Sequence, residues 1–120
     1  MSGHHSLEQA AIARQLADAL AGYERALDGL LLQHWDPELY RSLSDAFDRM
    51  QELAGALPQL TYAWTELLIS RVELTHALWT QPTPARIDGR VVAVHERHRK
   101  LIEQLRDGCL AYAELPAARP

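Results

Sequence analysis

Two histidines three residues apart, in His95-Glu-Arg-His98, form the pair in this sequence most suited to holding a metal or moving a proton. On a helix such residues share a face. The spacing differs from the His-Glu-x-x-His of zinc proteases, whose histidines are four apart, and a zinc site needs a third and a fourth ligand. Cys109 lies more than about three helical turns from His95 and cannot join it, which leaves Glu24 or Asp28 of an earlier helix. Without such partners, a histidine on an apolar seam reads as a hydrogen-bonded core residue.

Glu73-Leu-Thr-His76 matches one half of a di-iron signature. That chemistry needs two Glu-x-x-His pairs and two further glutamates, all pointing inward. Here there is one pair, and helical phase turns Glu73 away from the apolar side. Neither constellation completes a ligand set, so no metal or cofactor is expected. Ser42, Ser44 and Ser70 have no histidine at a useful helical spacing, no glycine-rich loop suits phosphate, and Cys109 has no activating neighbour. The residues propose no catalytic set.

Arg71 is the most unusual placement. Leu60, Trp64, Leu67, Arg71, Leu74 and Leu78 follow one another by fours and threes, so a guanidinium stands in the middle of an apolar stripe. A buried unpaired charge costs several kcal/mol, so Arg71 must find an acceptor. Glu24 and Asp28 are the expected carboxylates, with Tyr23 and Phe47 offering ring faces. A candidate polar pocket follows from Tyr23, Arg71 and His98, flanked by Glu24 and His95.

Four amphipathic helices would position these groups. Ser6 and Gln9 can form a capping box, after which Leu16, Leu20, Tyr23, Leu27, Leu30 and His34 mark a helix over about 7–34. Asp36-Pro37-Glu38 restarts the chain with an N-cap, a first-turn proline and a favourable acid. Leu39, Leu43, Ala46, Met50, Leu53 and Leu57 then predict a helix over 37–56. The Arg71 stripe spans 59–80, with Glu66, Ser70, Glu73 and Ala77 expected on its outer face. Pro82 and Pro84 stop it, and Ile87, Val91, Val94, His98, Leu101, Leu105, Gly108 and Tyr112 predict a last helix over 84–115. Residues 1–5 and 116–120 read as disordered tails.

Short connections make these helices antiparallel neighbours. The fold class is therefore all-α: a single domain folded as an up-down-up-down four-helix bundle. Alignment from the turns puts Tyr23, Met50, Leu67 and His98 at one level, and Leu27, Ala46, Arg71 and Val94 at the next. Helices one and four outrun the middle pair, so Leu7, Ile12, Leu110, Tyr112 and Leu115 form either a partly uncovered extension that marks a contact site, or ends that fray or fold over the turn between helices two and three. Trp35 and Trp79, near one bundle end, extend the candidate contact surface, and Tyr62 and Ile69 on the mainly polar side of the third helix point the same way.

Composition narrows the function classes. A net charge of −4 disfavours generic binding to nucleic acid or anionic membrane. The basic residues Arg86, Arg90, Arg97 and Lys100 cluster on the last helix; they read as facing acids of a neighbouring helix, Glu66 and Glu73 or Asp45 and Asp48, rather than as a patch for an acidic partner or phosphate. No apolar run approaches the roughly 20 residues of a membrane span, and the first residues lack a signal-peptide core. One cysteine permits no internal disulfide and suits a reducing, cytoplasmic setting. Eleven arginines against one lysine, with abundant Ala and Leu, read as GC-rich coding and a bacterial source. The expectation is a cytoplasmic adaptor, regulator or chaperone-like subunit that works by protein–protein contact and self-associates, most simply as a dimer. The alternative is a small-ligand-binding bundle or minor enzyme using the Tyr23–Arg71–His98 pocket.

Overall fold

A computed structural model describes residues 7–32, 37–80 and 89–114. Four α-helices account for nearly all of them: α1 (Leu7–Leu32), α2 (Pro37–Gly55), α3 (Thr61–Thr80) and α4 (Gly89–Ala113). A 3₁₀ turn, Pro58–Leu60, leads into α3, with proline at its first position as a missing N–H favours. The expected helix ends at His34, Pro84 and Leu115 lie outside the described residues, as does Trp35.

The cross-contacts establish the directions. Along α1, Gln9, Tyr23 and Asp28 meet Tyr112, His98 and His95 of α4, so the two run antiparallel. Tyr40, Ser44 and Phe47 of α2 meet Trp79, Arg71 and Trp64 of α3, again in reverse order. Glu73 and Ser70 meet Arg97 and His98 in the same sense. The protein is an all-α, up-down-up-down four-helix bundle.

The packing is unequal. α1 lies close against α4 and α2, and α3 lies close against α4, whereas the α2 and α3 backbones stand further apart. Side-chain size explains this. Phe47, Met50, Trp64 and Arg71 fill the space between α2 and α3. Toward α4, α3 carries Ala63, Ser70 and Ala77 at seven-residue intervals, and small residues let backbones approach. Ser70 and Ala77 are buried, which corrects the expectation that they lie on the outer face of α3. Both satisfy the same four–three spacing as Leu67 and Leu74, on a line rotated toward α4.

Of the two expectations for this end, folding over the turn between α2 and α3 is the one seen, and the end is mostly closed. Tyr112 is buried and donates its hydroxyl to Gln9 Oε1 at 3.1 Å, and Ile12 packs partly buried against the core. The turn between α2 and α3 caps this end: Leu57 is fully buried, Gln9 Nε2 reaches Ala56 O at 3.5 Å, and Leu60 rests on Gly108 of α4. Leu7 and Leu110 remain exposed, and Leu115 lies outside the described residues. Ile102 and Cys109 of α4 are also core residues. No described helix is long and apolar enough to cross a membrane.

Candidate functional site

The candidate polar residues separate into three groups. At the centre, His98 is fully enclosed and held from both sides. Its Nε2 is 2.9 Å from Tyr23 Oη, and its Nδ1 is 2.9 Å from Ser70 Oγ. Each hydroxyl can donate or accept, so a neutral imidazole is satisfied in either tautomer. Burial pushes the His98 pKa down to about 4, and the nearby His95 and Arg71 charges push the same way. Burial likewise raises the Tyr23 phenol well above its ordinary range, with Arg71 opposing. The pair Ser70–His98 has the atoms of a nucleophile and its base. However, both are sealed from solvent, and an imidazole of this pKa is a poor base near neutral pH. What the arrangement does is tie α1, α3 and α4 together at one level.

Arg71 turns the other way, toward α2. Its guanidinium carbon lies 4.4 Å from the centre of the Phe47 ring, and Nη2 donates to Ser44 Oγ at 3.3 Å. Phe47 also stacks on Trp64 at 4.9 Å and meets the edge of Tyr23 at 5.5 Å. The expected carboxylate pair with Glu24 or Asp28 does not form. Asp28 is taken by His95 at 3.2 Å, and Glu24 sits on the α4 side of α1, where one of its oxygens, Oε2, is enclosed with no hydrogen-bond partner among the described residues. Helical phase decides this: Arg71 occupies the α2 side of its stripe, and the two acids occupy the α4 side of theirs.

Tyr23 and Arg71 do line a common cavity, together with Tyr40, Ser44, Leu74 and Thr75, while His98 lies behind Tyr23 and does not. The cavity holds about 20 Å³, room for a single water. Among the described residues no three of His, Cys, Asp and Glu converge on one point. Glu73 instead pairs with Arg97 at 2.6 Å on the surface, so one member of the basic cluster faces an acid of α3.

The outer face of α3 is the other feature. Tyr62 is 78% exposed, Ile69 59%, Val72 68% and Trp79 63%. With the exposed Thr65 and His76 they form an unbroken series at 62, 65, 69, 72, 76 and 79, alternating threes and fours. The α2 residues Asp45, Asp48, Arg49 and Glu52, by contrast, present an ordinary charged exterior. Tyr62 and Ile69 stand on this side as expected, and Val72 and Trp79 complete the line. No family model, curated protein sequence or solved structure matches this chain.

Proposed function

We propose that this bundle acts by protein–protein contact, as an adaptor, regulator or chaperone-like subunit, and that the outer face of α3 is where it docks. One observation carries the reading: α3 is apolar on two opposite sides. It buries Trp64, Leu67 and Leu74 in its own core, yet still presents Tyr62, Ile69, Val72 and Trp79 to solvent. A helix that only completes a bundle needs one apolar stripe, and a helix apolar all round is normally covered. Contiguous exposed apolar surface of this kind marks contact sites. A pocket function around Tyr23 and Arg71 has less support, since a ligand larger than water needs more than about 20 Å³. The buried lone thiol suits a reducing cytoplasmic setting.

The test is a photoreactive amino acid at position 69, with position 49 on the charged side of α2 as control. Irradiation in cells should give protein adducts from position 69 and few from 49. Equal yields at the two positions would defeat the reading.

A further inference from the structure

We infer that the partner seated on this face is a second copy of the chain, with the two α3 helices antiparallel about a twofold axis between Ile69 and Val72. The inference rests on reading α3 as the docking face. The 62-65-69-72-76-79 series is two heptads of alternating three and four steps, the spacing that keeps a seam facing one partner helix. The order of residue types along it is the same from both ends: aromatic, polar, aliphatic, aliphatic, polar, aromatic. A twofold contact requires a patch that complements itself, and this order provides it. Antiparallel pairing sets Tyr62 on the other copy's Trp79, Thr65 on His76, and Ile69 on Val72. Thr65 already commits its hydroxyl proton to Thr61 O at 2.8 Å, so its oxygen can accept from a ring N–H of His76. Parallel pairing would instead oppose imidazole to imidazole.

Charge and area agree. The same rotation carries Glu66 of the other copy to about one helical turn from Arg97. That guanidinium, held by Glu73 at 2.6 Å, then gains a second carboxylate from Glu66, which has none of the ion pairs seen among the described residues. Tyr62 and Trp79 leave roughly 300 Å² of ring surface exposed. The four residues between them bring the strip toward the roughly 800 Å² per partner of a standard interface. Interfaces near that size range from micromolar to far tighter, so the expected association is micromolar or stronger.

Complementary charges test both partner and register. Ile69→Glu and Val72→Lys, each at an exposed position, should keep wild-type helicity and weaken self-association at least about 100-fold in sedimentation equilibrium, because each buries an unpaired charge. Mixing the two variants should restore a dimer. Only the antiparallel register places Glu at 69 over Lys at 72 while keeping the second Ile69–Val72 layer native. Wild-type chain that stays monomeric at 100 µM (about the upper end of a micromolar association), variants that still dimerise, or a mixture without rescue would each overturn the inference. A monomeric wild type whose position-69 probe still captures another protein would overturn the second-copy assignment and leave the docking reading standing. Absence of any position-69 adduct would defeat both.

Discussion

Tyr23 Oη stands 2.9 Å from His98 Nε2, joining α1 to α4 through two side chains that have almost no access to water. Ser70 completes the arrangement from α3. Three helices thus share one polar junction inside an otherwise apolar core. A buried polar group that is fully satisfied adds directional constraint, because sliding any of the three helices breaks a bond that water cannot replace.

The junction makes stability depend on pH. His98 has a folded pKa of about 4 against about 6.5 unfolded. Between those values the unfolded chain binds the extra proton, so stability rises with pH across the window. The full contribution is present above about pH 6.5 and is lost as pH falls toward 4. The loss should be on the order of 3 kcal/mol. Denaturant unfolding at pH 7, 5.5 and 4.5 measures it, and His98→Gln, which keeps a donor and an acceptor without titrating there, should flatten the profile. A wild-type profile with no slope in this window would mean that His98 does not remain neutral in the folded protein.

Removing either hydroxyl leaves one imidazole nitrogen unsatisfied in the core. Tyr23→Phe and Ser70→Ala should each cost about 1–3 kcal/mol, the usual penalty for orphaning a buried polar group. Adding His98→Leu to both should recover much of that loss, since removing all partners together leaves nothing unpaired. A double-mutant cycle reads the coupling directly. Strictly additive losses would argue against a shared junction.

Arg71 behaves differently because its partners are a ring face and a hydroxyl at the edge of the core. Arg71→Met should change stability by no more than about 1 kcal/mol, as the thioether keeps the stem packing and gives up only the contact with Phe47. Since the Arg71 charge helps depress His98, the same variant should raise the His98 pKa, visible in an NMR titration of the ring. Loss of the folded state in Arg71→Met would instead make the guanidinium a structural tie.

These outcomes bear on how much the sequence disclosed. The four helices and their directions followed from repeating apolar positions and from the Asp36-Pro37-Glu38 and Pro82/Pro84 punctuation, signals that local sterics make strong. Tyr23 and His98 fall at one level because the turns fix the register. Ser70 is hard to see because hydropathy gives a small hydroxyl little weight. Its place at the four–three interval between Leu67 and Leu74 was the available clue. The Arg71 partner was misassigned for a geometric reason: sequence gives the phase of each helix, but not which neighbour stands on which side. Asp28 and Ser44 both lie within a turn of Arg71 by level, and only the handedness of the bundle separates them. The second stripe on α3 is partly legible: Tyr62, Ile69 and Trp79 stand out in the sequence, and Val72 joins them into one line only when the three–four spacing is followed on the outer side.

Two apolar surfaces could carry the contact, and Leu110→Asp separates them. Leu110 is 38% exposed at the far end of α4, where Leu7 is also uncovered, and a dimer built there would use the ends of α1 and α4. That end is already bound into its own bundle: Arg14 Nη2 donates to Ala113 O at 3.2 Å, Tyr112 to Gln9, and Leu57 and Leu60 close over it. Among the described residues only Leu7 and Leu110 stay exposed there as large apolar side chains, against four on the outer face of α3. Leu110→Asp should therefore alter stability by less than about 1 kcal/mol, as partly exposed positions usually do, and leave the sedimentation behaviour of the wild type unchanged. Ile69→Glu, at equal helicity, should shift it to monomer. The reverse pattern, a monomeric Leu110→Asp beside an unaffected Ile69→Glu, would move the contact to the ends of α1 and α4 and remove α3 from it. Unfolding in Leu110→Asp would show instead that this leucine belongs to the core that Ile102 and Leu105 fill, and the face on α3 would remain the one apolar surface tested that can associate.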